Sequence, residues 1–329
     1  MVKKGERDSL SARMAATDPR RAATRRPRRG GEGAAISAEG LPGISVVVPA
    51  WNEEGIIGRV VDEVREVLAA MPGCGAWEVI VISDGSKDGT AAQARAAGAK
   101  VVELSPNRGY GAALRRGFRE ARFEVVVMLD GDGTYPPSAI PALVRRVAEG
   151  ADQVIAARTT FADPPRGLRR LAKGLLTRFA SALVGYRVPD LNSGMRAFRR
   201  GALEQVANLL PAGFSCSTTL TVAGSLGGWQ VEWEPIEYRP RFGRSKFRPV
   251  HDTVRLALAI LRAVVYTHPL KVFLPVAAVL VFLGLSLGLY DTLVERNLTD
   301  KTVLCFLSGL QLFALGLLAD LLVRRRGSG

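Results

Sequence analysis

The chain has 329 residues, 47% of them hydrophobic, and its 45 Lys and Arg against 31 Asp and Glu give a net charge of +14. That length holds one globular domain of about 220 residues plus appendages. The three cysteines, Cys74, Cys216 and Cys305, give neither a disulfide framework nor metal-ligand spacing and suit a reducing cytoplasm.

Residues 1–40 are rich in Arg, Ala and Gly with almost no large apolar side chains, so they cannot bury a core and are predicted to be a disordered basic tail. Its cluster Arg20, Arg21, Arg25, Arg26, Arg28 and Arg29 suits anionic headgroups or nucleic acid, or is simply solvated. The segment lacks an apolar core of the kind a secretory signal carries. Ile44–Pro49 then reads as a buried strand, and Ala50-Trp51-Asn52-Glu53-Glu54 leads into a helix expected to carry carboxylates in its first turn. Trp77–Ile82 is a second strand, ending in Ser83-Asp84-Gly85-Ser86-Lys87-Asp88-Gly89-Thr90. Lys100–Leu104 is a third, followed by Pro106–Gly111 and a helix over Ala112–Ala121. Val125–Leu129 is the fourth, and it stops at Asp130-Gly131-Asp132.

Strands alternating with helices predict an α/β domain with a mostly parallel sheet, whose ligand crevice lies beyond the carboxyl ends of its strands. Every polar cluster just named falls at such an end. Two carboxylates there repel unless a divalent cation neutralises them. Residues two apart on an extended segment point the same way, so Asp130 and Asp132 can address one ion, and that ion can hold a nucleotide-sugar diphosphate. Asp-Gly is also a common turn dipeptide, and the pair alone leaves a plain turn open.

A further strand, Asp152–Ala157, ends at Arg158. Over Arg166–Tyr186, Arg166, Arg169, Arg170 and Lys173 recur at helical spacing beside Leu168, Leu171, Leu175, Phe179 and Leu183; Pro249–Tyr266 repeats the pattern. Basic amphipathic helices of this kind lie at headgroup level, although packing against the domain accounts for the same pattern. Val272–Tyr290 carries no charge, and Thr302–Val323 carries only Asp320, so both are expected to span a bilayer. These spans give the +14 a membrane partner, and nucleic acid is not expected. Arg255, Arg262 and Lys271 precede the first span, Arg324, Arg325 and Arg326 follow the second, and the loop between them is near neutral. The catalytic domain and both termini are therefore expected on the cytoplasmic side. Asn297-Leu298-Thr299 matches a glycosylation sequon by chance in a short loop. His251 and His268 lie beside the membrane segments and read as interfacial.

The stretches VVVPAWNE (Val46–Glu53), SDGSKDGT (Ser83–Thr90), NRGYGAALRRGF (Asn107–Phe118), LDGDGTYPP (Leu129–Pro137), DLNSGMRAFRR (Asp190–Arg200) and RFGRSK (Arg241–Lys246) occur in this order. As a set they resemble the family-2 glycosyltransferases of GT-A fold, of the polyprenyl-phosphate, dolichyl-phosphate mannose synthase-like type. The resemblance covers about Ile44 to His268. It implies that Pro49, Trp51, Glu53, Asp84, Asn107, Gly109, Asp130 and Gly131 bind the nucleotide-sugar, and that Asp130 and Asp132 hold Mg²⁺ or Mn²⁺. It also implies that Arg158, Arg241, Ser245 and Lys246 bind the acceptor phosphate. Asp190 and Asn192 are expected at the transferred sugar or in a solvated loop. Asp130, Asp132, Arg158 and Lys246 would carry catalysis.

The expected reaction is inverting transfer of a sugar from a UDP- or GDP-sugar to a polyprenyl or dolichyl phosphate at the cytoplasmic face of the membrane. A phosphate monoester, with a second pKa of about 6, is already a nucleophilic dianion and needs no general base. The expected organisation is a tail (1–40), a catalytic domain (41–247), a juxtamembrane helix (248–270), a transmembrane hairpin (271–323) and a basic tail (324–329), with a homo-oligomer possible. Thr134 stands where many relatives carry Gln. No Gln-x-x-Arg-Trp motif is present, which disfavours a processive polysaccharide synthase, though another lipid or polysaccharide acceptor is the alternative. A dinucleotide oxidoreductase needs a third glycine where Leu114 stands. A non-catalytic lipid-binding protein has no use for the paired carboxylates.

Overall fold

The computed structural model describes residues 41–159, 168–207, 210–211, 213, 215–240 and 249–326. The tail 1–40, Arg166, and the expected phosphate ligands Arg241, Ser245 and Lys246 lie outside the described residues, as do the side chains of Arg169, Arg170, Lys173, His251 and Arg255.

Seven strands form one sheet: β1 (Ile44–Ala50), β2 (Trp77–Asp84), β3 (Lys100–Leu104), β4 (Val125–Met128), β5 (Gln153–Arg158), β6 (Arg196–Arg199) and β7 (Val231–Ile236). Their order is β3-β2-β1-β4-β6-β5-β7. Only β6 runs antiparallel to its neighbours, β4 and β5; the other pairings are parallel. The first five strands fall where the apolar runs place them. β6 and β7 were not foreseen, because RAFR and VEWEPI mix charge into short segments and give no clean apolar run.

Strand alternation sorts the core into two layers. Val46 and Val48 of β1 with Val125 and Val127 of β4 face α1 (Ile57–Ala69). Val47, Val126 and Met128 face the other way. The helices after β2 and β3 are α2 (Thr90–Ala96) and α3 (Tyr110–Glu120), and α4 (Ile140–Ala148) precedes β5. α1 and α4 cover one face through Val61, Val64, Leu143 and Val147. α3 covers the other through Leu114 and Phe118, together with α6 (Arg200–Ala207) and α7 (Cys216–Leu226).

A third cluster joins α7 to α5 (Leu168–Val184) and α8 (Pro249–Thr267) through Ala180, Val222, Ile260 and Val264. Val272, at the start of α9 (Leu270–Tyr290), packs against it. The His268 ring Nε2 bonds to the Leu226 carbonyl at 2.9 Å, and Lys271 Nζ donates to the Leu183 carbonyl at 2.9 Å. The base of the apolar hairpin, α9 and α10 (Asp300–Arg326), is thereby tied to the domain. Both helices are long and apolar enough to cross a bilayer, and only 11% and 17% of their most apolar windows are buried. A core helix of a soluble domain is covered all round; these are not.

Three expectations need correction. α1 starts at Ile57 with no acidic residue in its first turn. Asn52 takes a left-handed φ of 52°, and the amides of Asn52, Glu53 and Glu54 donate to Ser86 Oγ, Thr90 Oγ1 and Asp88 Oδ2, so the carboxylates stay in a loop laced to its neighbour. α3 begins at Tyr110, two residues early, which brings the tyrosine onto the helix. β4 ends at Met128, and Gly131 and Asp132 lie in a turn, so a common direction for the carboxylates does not follow from strand geometry.

Candidate active site

The carboxyl ends of β1, β2, β4 and β5 share one edge of the sheet, and they deliver Pro49, Asp84, Asp130 and Arg158 to it. β6 runs the opposite way, with Arg196 opposite Met128 and Ile155, so the loop preceding β6 brings Asp190 to Gly194 to the same edge. Trp51 stands at the rim, 41% exposed.

Asp84 is buried, and its carboxylate accepts the Arg108 and Gly109 amides at 2.8 Å each, while Asn107 Nδ2 donates to the Asp84 carbonyl at 2.8 Å. Its direct partners are thus the backbone of the loop that starts α3. A carboxylate held by two amides fixes that loop firmly.

Asp130 Oδ1 accepts the Tyr110 hydroxyl at 2.7 Å. Burial, reinforced by the Asp130 charge, holds the Tyr110 proton well above the ordinary phenol range, so the tyrosine stays a donor. Asp132 is buried, and its Oδ1 accepts both the Thr134 amide at 3.1 Å and the Thr134 hydroxyl at 2.6 Å. Thr134 in turn accepts the Arg239 amide at its carbonyl, at 2.9 Å. Gly194 closes on Asp130 from the far side: a Cβ there would lie 2.0 Å from Asp130 Oδ2. The Gly194 amide donates to the Tyr135 hydroxyl at 2.6 Å.

Arg158 grips Asp190 with two bonds, Nε to Oδ2 at 2.6 Å and Nη2 to Oδ1 at 2.9 Å, and reaches the Asn192 carbonyl at 3.2 Å. Its guanidinium lies 5.2 Å from the centroid of Tyr238, which meets Tyr135 edge to face at 5.1 Å. Burial works against the charge, but the Asp190 carboxylate outweighs it and keeps Arg158 firmly protonated. The expected phosphate ligand and the expected sugar ligand are therefore partners in one ion pair.

Arg196 is fully buried and donates to the Ser193 carbonyl at 3.0 Å, the Leu191 carbonyl at 3.4 Å and Thr221 Oγ1 at 2.7 Å. Burial pushes its pKa down to about 10, leaving it charged at neutral pH. It ties the loop to α7. Sequence reasoning passed over Tyr110, Tyr135, Gly194 and Arg196 although each lies inside a recognised motif, and over Tyr238, which lies in none.

The pair Asp130 and Asp132 offers hard oxygen donors of the kind that Mg²⁺ and Mn²⁺ prefer, each carboxylate oriented by a neighbouring hydroxyl. Among the described residues no group of three or more His, Cys, Asp or Glu is placed to hold an ion. Two carboxylates with substrate phosphates and water complete such a shell, so the donor set fits.

Comparison with known proteins agrees with this geometry. Residues 45–207 match the glycosyl transferase family 2 profile, and residues 268–324 match the GtrB C-terminal hairpin. A dolichyl-phosphate hexose transferase of Haloferax volcanii is 32% identical over 220 residues, covering 67% of this chain and 92% of that protein. An undecaprenyl-phosphate 4-deoxy-4-formamido-L-arabinose transferase of Aeromonas hydrophila is 28% identical over 301 residues, 85% of this chain and 88% of that one. Among solved structures, glucosyl-3-phosphoglycerate synthase from Mycobacterium tuberculosis, crystallised with Mn²⁺, UDP-glucose and phosphoglyceric acid, superimposes with a TM-score of 0.55 at 25% identity. It covers 73% of this chain and 86% of that one.

Proposed function

The chain belongs to glycosyltransferase family 2, and from that premise we propose that it moves a sugar from a UDP- or GDP-sugar to a polyprenyl phosphate at the cytoplasmic face of a membrane. The observation that carries this reading is the carboxylate pair Asp130 and Asp132 at the sheet edge of a domain tied, through His268 and Lys271, to two lipid-length helices.

Asp130 and Asp132 would hold the divalent cation, Mg²⁺ or Mn²⁺, and when bound it would supply positive charge to the diphosphate. The loops carrying Trp51, Glu53 and Asn107–Gly109 form the nucleotide side of the site, with Asp84 organising the last of them. Loop 190–194 forms the opposite wall, held by Arg158 and Arg196. An oxygen of the lipid phosphate attacks the anomeric carbon in line; the carbon–oxygen bond to the diphosphate breaks, its electron pair stays with the leaving group, and configuration inverts. No proton has to move, because the phosphate is already ionised. Arg241 and Lys246 provide the charge that lets a second phosphate approach the first, Ser245 adds a hydroxyl, and Arg158, its charge matched by Asp190, steadies the wall of the site.

The test uses purified full-length protein in detergent with a short polyprenyl phosphate, Mn²⁺ or Mg²⁺, and a panel of labelled UDP- and GDP-sugars. Label should enter the organic phase from one donor and be abolished by Asp132→Asn. Tight nucleotide binding without transfer to the lipid would overturn the acceptor, and failure to bind either nucleotide would overturn the reaction class.

A further inference from the structure

A cleft of about 670 Å³ opens along α5, lined in part by Arg178, Ser181, Tyr186, Arg187 and Val188. None of its lining residues belongs to the carboxylate site. Its walls are fixed by the fold. Gly185 takes a φ of +89°, which ends α5 and turns the chain back. The returning strand of chain is pinned where the Val188 amide donates to Ser181 Oγ at 3.1 Å and the Tyr186 hydroxyl meets Ser225 Oγ at 2.6 Å. Arg178 stands on the helical wall and Arg187 on the returning wall. Both are exposed, and among the described residues no carboxylate pairs with either.

The level of the cleft is set by its neighbours. Lys271, at the start of α9, donates to the carbonyl of Leu183, so the end of α5 sits where the first lipid-length helix begins. On the adjoining flank of α5, Leu175 and Phe179 are 56% and 45% exposed. An apolar flank and a cation-lined recess beside the base of a spanning helix combine the two chemistries of a bilayer surface, acyl chains and headgroup phosphates.

We infer that this cleft binds the headgroup of an anionic phospholipid. Two guanidiniums match a phosphodiester oxygen pair better than any other side chain, and Leu175 and Phe179 take the adjoining acyl chains. Pro189 closes the cleft and is followed directly by Asp190, the partner of Arg158. A seated lipid therefore braces the loop that walls the sugar site. The inference depends on the membrane placement of α9 and α10, not on the identity of the sugar reaction.

The test is native mass spectrometry of the full-length protein released from vesicles of equimolar phosphatidylglycerol and phosphatidylcholine, without donor or acceptor. Wild type should retain phosphatidylglycerol in preference to phosphatidylcholine, and Arg178→Gln with Arg187→Gln should lower that preference about tenfold. Arg178→Lys with Arg187→Lys should keep most of it, and Arg116→Gln with Arg119→Gln, on α3, should leave it unchanged. An unchanged preference in the Arg178→Gln, Arg187→Gln protein would overturn the inference. So would displacement of the bound lipid by inorganic phosphate, which would mark a soluble anion site. Displacement by a short polyprenyl phosphate, with an acceptor KM in pure phosphatidylcholine that is higher for the Arg178→Gln, Arg187→Gln protein than for wild type, would give the cleft to the acceptor and overturn it equally.

Discussion

The Tyr110 hydroxyl donates to Asp130 Oδ1 at 2.7 Å, linking the first turn of α3 to a carboxylate two residues beyond β4. The bond exists because α3 starts early enough to include residue 110. It gives Asp130 a neutral hydroxyl donor. Tyr110→Phe removes that donor without changing the ring. The expected outcome is a roughly ten- to hundredfold weaker Mn²⁺-dependent nucleotide affinity, about 1.5–3 kcal/mol for a hydrogen bond to a charged group. Titration calorimetry with and without Mn²⁺ checks it; an equal loss in both conditions would show a merely structural role.

Gly194 touches Asp130 so closely that a methyl group would sit 2.0 Å from Oδ2. Gly194→Ala must displace either the carboxylate or the loop. Transfer should fall by about a hundredfold or more, as a misplacement of about 1 Å in a reacting site does. The thermal midpoint in detergent, unlike the rate, should change little. A rate within threefold of wild type would refute the tight contact.

Arg158 and Asp190 form a two-bond pair with side chains 14% and 3% exposed. Removing one partner strands the other, at about 3–5 kcal/mol. A double-mutant cycle with Arg158→Ala and Asp190→Ala should therefore show strong coupling in stability, and the double variant should be no worse than either single one. Additive losses would mean that each residue works alone.

Arg196 donates to the carbonyls of Leu191 and Ser193 and to Thr221, with no surface exposed. Arg196→Met fills the volume and takes their donor from the Ser193 carbonyl and Thr221 Oγ1, while the Leu191 carbonyl keeps the Thr218 and Thr221 hydroxyls. We expect about 2–4 kcal/mol of lost stability from the stranded buried acceptors, read from thermal or denaturant unfolding in detergent. Retention of wild-type stability would show that water replaces the guanidinium.

Glu63 sits between Arg59 at 2.9 Å and Arg239 at 2.7 Å. Burial pushes its carboxyl up, but the two guanidiniums outweigh burial and hold it below its ordinary value of 4.5. The folded state thus binds the proton less readily than the unfolded one. The contribution is present above pH 4.5 and disappears as pH falls through the lower, folded value. Glu63→Gln should cost stability at neutral pH and nothing in strong acid; an equal loss at both would exclude the ion pair as its source.

Much of this protein is written locally. The runs over β1, β2, β4 and β5 are apolar because these strands are covered on both faces, and the uncharged stretches of α9 and α10 match a bilayer, so composition alone locates them. The Asp130-Gly131-Asp132 pair and the charged loops stand out because clustered charge at strand ends has few uses other than ligand binding. The short strands β6 and β7 escape such a reading, since pairing partners rather than their own residues make them strands.

The sequence by itself determined the fold class, the edge of the sheet that carries the site, and the two helices suited to a membrane, because periodicity and charge are properties of neighbours along the chain. Only the tertiary structure decided what the site residues touch. It turned Asp84 to the backbone of a neighbouring loop, joined Arg158 to Asp190, set Tyr110 and Gly194 against Asp130, and buried Arg196 beneath the loop. Those contacts join residues 20 to 64 positions apart, and those of Asp190, Gly194 and Arg196 depend on where the antiparallel β6 returns the chain to the crevice, which no local pattern encodes.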